Sequence, residues 1–128
     1  MTVADTDVLI DFLAGAEPAA GRVGQELEHG DLHTTVITRF ELLAGTRSKR
    51  QKAAVRDLLA ALPALPLDEA AADRAAGVRR ALESHGAPLG MADSLIAGIV
   101  LHNGGMLLTR NVRHFQRVEG LALLLLPS

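Results

Sequence analysis

The stretch Val3-Ala4-Asp5-Thr6-Asp7-Val8-Leu9-Ile10-Asp11-Phe12 places three carboxylates in an otherwise apolar run. A short apolar segment normally lies inside a protein, where an unpaired carboxylate is among the costliest groups to bury. Val3 and Ala4 predict a short strand that ends at Asp5, and residues 7–14 predict a helix that Gly15 closes. A strand followed at once by a helix is typical of α/β proteins.

The rest of the chain repeats this alternation of short apolar strands and helices. Further strands are predicted at Leu32–Thr35, Leu65–Leu67, Met106–Leu108 and Leu121–Leu126. Further helices are predicted at Ala19–His29, Val36–Gly45, Lys49–Leu62, Asp68–Ser84 and Ala92–Asn103. Pro66 indicates a sheet edge or an irregular strand end, because proline cannot donate a hydrogen bond to a neighbouring strand. We therefore expect an α/β fold with a mainly parallel sheet.

Composition excludes several classes of protein. The 128 residues, 48% hydrophobic and 22% charged, are typical of one globular domain over residues 1–128. No apolar run is long enough to span a membrane, no secretion signal is apparent, and there is no cysteine, so we expect a cytoplasmic protein. The net charge of −2 and the absence of Trp and Tyr argue against binding nucleic acid over the whole surface or by base stacking.

Two polar residues directly follow predicted strands. Asp5 follows the first strand and Thr109 follows the strand at 106–108. Ligands of parallel α/β sheets usually bind beyond the carboxyl ends of the strands. We therefore expect Asp5 and Thr109 to face the same cleft.

Glu41 lies in the predicted helix "VITRFELLAG". At about 100° per residue, Val36, Phe40, Leu43 and Ala44 form its apolar face, and Glu41 falls at the margin of that face. Glu41 is therefore either a solvated helix charge or part of a site at the edge of the core.

Asp93 begins a helix that is apolar nearly all round, and it shares an azimuth with Ala97 and Val100, which predicts that it points inward. It could equally serve as the helix N-cap, a role that does not exclude metal binding. Asp7 and Asp11 lie one turn apart on the first helix. We expect Asp7 to cap that helix and Asp11 to lie on its solvent side.

Asp5, Glu41 and Asp93 are more informative together than singly. Three carboxylates in one cleft repel one another, and some must stay protonated unless a cation neutralises them. Oxygen ligands suit a hard cation such as Mg²⁺ or Mn²⁺ rather than zinc. Such an ion activates water and stabilises charge on a phosphoryl group, so hydrolysis of a phosphodiester is the natural reaction.

Four blocks of the sequence carry a family resemblance: "ADTDVLIDFL" at 4–13, "TTVITRFELLAG" at 34–45, "LGMADSLIAG" at 89–98 and "LLTRNVRHF" at 107–115. In this order and in a chain of this length, they resemble the PIN-domain ribonucleases, and within them the VapC-type toxins of bacterial toxin–antitoxin pairs. The resemblance implies a three-layer α/β/α fold and a metal-dependent endoribonuclease (a hydrolase) that cleaves RNA.

The resemblance also implies roles for individual residues. By it, Asp5, Glu41 and Asp93 are the catalytic acidic residues that hold Mg²⁺ or Mn²⁺, and Thr6 and Thr109 support them through hydroxyl hydrogen bonds. It further implies a homodimer and a cognate VapB-type antitoxin that covers the cleft in a heterotetramer or a larger assembly.

The sequence departs from the family at the fourth acidic position. Relatives often carry Asp within this last block, which here reads Thr109-Arg110-Asn111-Val112-Arg113-His114-Phe115. Asn111 can still offer a carbonyl oxygen to a metal-bound water, and His114 is either a phosphate contact or a surface or helix-capping histidine. The missing charge favours one metal ion over two.

Basic residues form two groups. The first group reads either as an exposed helix face or as an RNA-binding patch: Arg39, Arg47, Lys49, Arg50, Lys52 and Arg56. The second group flanks the predicted site: Arg110, Arg113 and Arg117. From their position beside Thr109 we expect Arg110 or Arg113 to contact RNA phosphates.

The first helix carries more apolar residues than one core face requires, namely Leu9, Phe12 and Leu13, and Leu42 is expected to project away from the apolar face of its helix. These residues either belong to the core or line a groove for an antitoxin helix.

Other functions fit less well. A phosphoacceptor domain or an aspartyl-phosphate phosphatase needs a lysine near the last strand, and the last lysine here is Lys52. The serious alternative is a catalytically impaired PIN-fold module that binds antitoxin or RNA without cleaving it.

Overall fold

The computed structural model describes residues 1–126, which form a five-stranded parallel sheet with helices on both faces. The strands are β1 (Thr2–Ala4), β2 (Leu32–Thr35), β3 (Ala64–Leu65), β4 (Met106–Leu108) and β5 (Ala122–Leu124). The helices are α1 (Thr6–Ala14), α2 (Ala19–His29), α3 (Val36–Ala44), α4 (Lys49–Ala60), α5 (Glu69–Ser84), α6 (Met91–Asn103) and α7 (Val112–Phe115). The prediction of a three-layer α/β/α fold is confirmed.

Adjacent residues of the central strands point into different cores, because side chains alternate along a strand. Val3 and Leu107 pack in one cluster, whose helical members include Ile96 of α6. Ala4 and Leu108 pack in the other cluster, which collects apolar residues of α1, α2, α3 and α4. Both faces of the sheet are therefore covered, as a buried parallel sheet requires.

The strand order is β3-β2-β1-β4-β5. From β1 the chain builds β2 and β3 to one side, and then returns to add β4 and β5 on the other side of β1. β1 and β4 are thus adjacent, with Ala4 opposite Leu108, and the strand order reverses between them. A reversal of this kind opens a crevice at the carboxyl ends of the two strands. Asp5 and Thr109, which directly follow these strands, lie at that crevice.

Element boundaries differ from prediction near the chain's irregular segments. β3 ends at Leu65, so Pro66 follows this edge strand instead of lying within it, and β5 occupies only the middle of the predicted run at 121–126. α7 was not predicted, because a single turn of four residues is too short to show helical periodicity. Within residues 1–126 no helix is both long and apolar enough to cross a lipid bilayer.

The buried face of α3 also differs from prediction. Leu42 is buried, whereas Phe40 is 70% exposed, so Phe40 does not belong to the core and Leu42 does not project away from it. The reason is Thr38, which is fully buried one turn before Leu42 and has its hydroxyl in a hydrogen-bonded network. Because the polar residue Thr38 lies on the buried face of α3, apolar residues alone do not identify that face correctly.

Candidate active site

Asp5 lies at the junction of β1 and α1, and it caps the helix. Its Oδ1 atom accepts a hydrogen bond of 2.8 Å from the backbone N–H of Thr6. Its own backbone N–H donates to the carbonyl of Leu108 at 2.9 Å, which holds it against the end of β4. The sequence had suggested Asp7 as the cap of α1, but the cap is Asp5. Capping places the Asp5 carboxylate in the crevice, and the residue is only 5% exposed.

Thr109 brings the end of β4 to the same carboxylate. Its hydroxyl is fully buried and donates to Asp5 Oδ2 at 2.7 Å, although the two residues are 104 positions apart in sequence. The backbone N–H of Asn111 donates to the Thr109 hydroxyl oxygen at 2.9 Å. The predicted meeting of Asp5 and Thr109 at one sheet edge is confirmed, and Thr109 orients the carboxyl group.

Thr6 links this strand edge to Glu41 of α3. The Thr6 hydroxyl lies 2.7 Å from Glu41 Oε1 and 3.0 Å from the hydroxyl of Thr38. Since its proton points to only one acceptor at a time, the shorter distance favours donation to the carboxylate. Glu41 is half-buried and is not a freely solvated helix charge.

Asp93 lies in the first turn of α6, whose N-cap is Gly90, so Asp93 is not the cap. Its Oδ2 atom is 3.9 Å from Nδ1 of His114, too long for a hydrogen bond. The side-chain amide nitrogen of Asn111 lies 2.8 Å from the same Nδ1 atom. Asn111 thus holds the His114 ring near Asp93, and the amide oxygen of Asn111 makes no hydrogen bond within residues 1–126.

Asp7 was not predicted to belong to the site. Its Oδ2 atom accepts a hydrogen bond of 3.0 Å from the backbone N–H of Arg110 and lies 3.4 Å from the Thr109 hydroxyl. The sequence did contain a signal for this position. With Asp5 as the cap, Asp7 lies in the first turn of α1, close to the strand end that Asp5 follows.

Burial raises the pKa of three carboxyl groups in this crevice, and repulsion by neighbouring carboxylates adds to the rise at two of them, Asp5 and Asp93. Burial, followed by the charge of Asp7, raises the pKa of Asp5 from 3.8 to about 7, against the hydrogen bonds from Thr109 and Thr6. Burial likewise raises the pKa of Asp7 and of Asp93, and the charges of Glu41 and Asp7 add to the rise at Asp93. The charges of Asp7 and Glu41 therefore act on other carboxyl groups of the crevice.

The three arginines near the site differ in the contacts that their guanidinium groups make. The Arg110 guanidinium pairs with Asp11 at 2.8 Å, so Asp11 is not a freely solvated residue of α1. Arg117 donates to the carbonyl oxygen of Ala87 and to that of His114 at the end of α7, so it links the segment after α7 to the loop that contains Ala87. Arg113 is exposed, and it makes no salt bridge within residues 1–126.

The donor set fits a hard divalent cation in its chemistry. It consists of carboxylate oxygens with hydroxyl groups between them, and one buried oxygen, Asp7 Oδ1, has no hydrogen-bond partner within residues 1–126. The acidic side chains are not yet placed to bind an ion: among the described residues, no group of three or more His, Asp or Glu side chains is arranged so that it could hold a metal ion. Like charges keep such groups apart, and a cation would have to gather them.

Comparisons with known proteins agree with this architecture. The family model for the PIN domain matches residues 2–121. Similar curated proteins include a tRNA(fMet)-specific endonuclease VapC of Shigella flexneri, 31% identical over 91% of each chain. They also include ribonuclease VapC10 of Mycobacterium tuberculosis, which is 32% identical over 94% of this chain and 90% of its own.

Solved structures show the same fold. The VapBC structure of Salmonella typhimurium bound to DNA contains a chain that is 28% identical, covers 96% of both chains and superposes with a TM-score of 0.86. The VapBC-1 structure of Haemophilus influenzae gives 27% identity, 96% coverage of both chains and a TM-score of 0.80. The chain therefore belongs to the PIN-domain family, among its VapC-type ribonucleases.

Proposed function

We propose that this protein is an endoribonuclease toxin that hydrolyses RNA phosphodiester bonds with Mg²⁺ or Mn²⁺ and is neutralised by a VapB-type antitoxin. One observation supports it most: a single hydrogen-bonded network joins Asp5, Thr6, Glu41 and Thr109 at the carboxyl edge of β1 and β4. The similar proteins, which are ribonucleases and chains of VapBC complexes, support this activity and this partner.

In this proposal, the carboxylates of Asp5, Glu41 and Asp93 hold the cation. When bound, the ion would lower the pKa of a water molecule and offset the negative charge that develops on the phosphate. Thr6 and Thr109 keep the carboxylates of Glu41 and Asp5 in place by donating hydrogen bonds to them. The amide oxygen of Asn111 would accept a hydrogen bond from a water molecule in the crevice.

Steady-state cleavage of RNA by the purified chain tests the activity. We expect cleavage with Mg²⁺ or Mn²⁺, loss of cleavage in EDTA, and loss in Asp5→Asn and Asp93→Asn. Both variants should remain folded, because Asn also caps helices well and because removing one of several like charges relieves repulsion. A wild-type protein that binds antitoxin and RNA but leaves RNA intact would instead support the impaired binding module.

The antitoxin has a candidate binding surface beside the site. A groove of about 620 Å³ lies between α1, α3 and α4, and we refer to it as the α1–α4 groove. Its lining residues include Ile10, Leu13, Glu41, Leu42 and Ala54. Ile10, rather than the predicted Leu9, supplies the exposed apolar side chain of α1. An apolar helix in this groove would reach Glu41, so the partner that occupies it would also obstruct the site.

A further inference from the structure

The fourth acidic position of the site, at the end of β4, carries no carboxylate. The segment that follows Thr109 offers Asn111 and His114, which supply an amide and an imidazole. A site built on Asp5, Glu41 and Asp93 alone would therefore carry three negative charges. The structure places another carboxylate in the same crevice from a different element.

Asp7 enters the crevice from the first turn of α1. Its Oδ2 atom lies 3.4 Å from the Thr109 hydroxyl, which also lies 2.7 Å from Asp5 Oδ2. One hydroxyl has a single proton, so it cannot donate to both carboxylates at once, and the shorter contact assigns that proton to Asp5. The Thr109 hydroxyl thus lies close to both carboxylates but donates its hydrogen bond to only one of them, that of Asp5.

The charge of Asp7 is only partly compensated, by the nearby positive charge of Arg110. Its Oδ1 atom is buried and has no hydrogen-bond partner in the described part of the chain. The nearby guanidinium of Arg110 pairs with Asp11, although the backbone N–H of Arg110 does bind Asp7 Oδ2. The charge of Asp7 acts in turn on the carboxyl groups of Asp5 and Asp93. An unpaired carboxylate beside two others is costly unless a cation shares the crevice.

We propose that Asp7 is the fourth acidic residue of the site, and that from α1 it supplies the negative charge for divalent-cation binding that the segment after β4 lacks. This inference rests on the proposed function, since it assumes that Asp5, Glu41 and Asp93 bind the same ion. A different possibility is that Asp7 only holds the backbone of Arg110, and the test separates the two.

Isothermal titration of the purified chain with Mn²⁺ alone, without RNA, tests the proposal at a pH above the raised pKa of Asp5. Asp7→Asn keeps an oxygen acceptor for the Arg110 N–H and removes the charge. We expect it to bind Mn²⁺ about 10- to 100-fold more weakly than wild type, the range typical of losing a residue next to a metal's ligands. Asp57→Asn, an exposed charge removal on α4, should bind like wild type.

Each outcome decides one part of the proposal. Wild-type affinity in Asp7→Asn, with binding lost in Asp5→Asn, would overturn the role of Asp7 and leave the proposed function intact. Wild-type affinity in Asp7→Asn but weak binding in Asp7→Ala would also overturn it, because the hydrogen bond to Arg110 and not the charge would matter. Mn²⁺ binding that survives Asp5→Asn, or is absent from wild type, would overturn the proposed cation site itself.

Discussion

Asp5 is 5% exposed, and burial raises the pKa of its carboxyl group to about 7, so the folded protein holds this proton more tightly than the unfolded chain does. Stability from this proton is fully present below the unfolded pKa of 3.8 and is lost as the pH rises through about 7. The raised pKa values of Asp7 and Asp93 act in the same direction.

We therefore expect the unfolding free energy of the metal-free protein to fall as the pH rises from about 4 to about 8. The unfolding free energy of Asp5→Asn should fall less steeply with pH. At the upper end of this pH range it should be roughly 2–4 kcal/mol higher than that of wild type. Urea denaturation in EDTA at a series of pH values measures this. Parallel stability curves for the two proteins would contradict the assignment of the raised pKa to Asp5.

Within the described part of the chain Arg113 makes no salt bridge, whereas Arg110 pairs with Asp11 and Arg117 binds two carbonyl oxygens. If it contacts an RNA phosphate, Arg113→Ala should weaken RNA binding and reduce the slope of log K against log salt by about 0.7, the value for one phosphate of a single strand. Binding is measured with Asp5→Asn as the background, so that RNA is not cleaved.

Two other arginines serve as controls for Arg113. Arg110→Ala should change the slope less, because Asp11 already neutralises that guanidinium. Arg117→Ala should lower the melting temperature instead, because it removes the hydrogen bond to the loop at Ala87 and the local bond to His114. An unchanged slope in Arg113→Ala would rule out the phosphate contact.

The packing of α6 on α5 determines where Asp93 lies. At Gly98 a Cβ atom would fall 2.6 Å from the Cβ and backbone N of Ala75 and 2.7 Å from the carbonyl of Ala71. Backbone atoms cannot move aside cheaply, so Gly98→Ala should separate the helices and cost about 1–3 kcal/mol. It should also reduce RNA cleavage, since α6 carries Asp93.

Gly77 of α5 provides a matched control, because a Cβ atom there meets nothing within 4 Å. Gly77→Ala should therefore leave cleavage unchanged and raise stability by up to about 1 kcal/mol through helix propensity. Thermal denaturation and cleavage rates of both variants provide the comparison. Equal effects at the two glycines would show that close packing of α5 on α6 is not what positions Asp93.

The α1–α4 groove predicts how the antitoxin acts on the molecule as a whole. Ala54 lines the groove, whereas Ala53 is an exposed residue of the same helix that does not line it. Ala54→Arg should obstruct the groove and weaken antitoxin binding by at least about ten-fold, and Ala53→Arg should leave it unchanged. Both should cleave RNA like wild type in the absence of antitoxin. Equal binding by both variants would place the antitoxin elsewhere.

The domain organisation and the oligomeric state of the protein are predictions from the sequence. That residues 1–128 form a single domain and that the protein is a homodimer are predictions, the second drawn from the family resemblance. Sedimentation of the protein alone and with its antitoxin measures the oligomeric state.

Local patterns in the sequence were sufficient to predict the α/β class, most element positions and the strand-end location of Asp5 and Thr109. These features depend on local order: apolar runs, helix caps and the residue that follows each strand are read within a few positions. The same local patterns failed at α3, where the buried Thr38 turned Phe40 outward, and at α7, which has a single turn.

Only the tertiary structure decided which side chains meet. The Thr109–Asp5 contact, the Arg110–Asp11 pair and the entry of Asp7 into the crevice all depend on β4 lying beside β1. Strand order is set by the packing of two cores across the whole chain, and no local pattern encodes it. The charges that oppose one another in the crevice, and the pKa shifts that result, follow from that packing because electrostatic interactions depend on distance and burial in space and not on position in sequence.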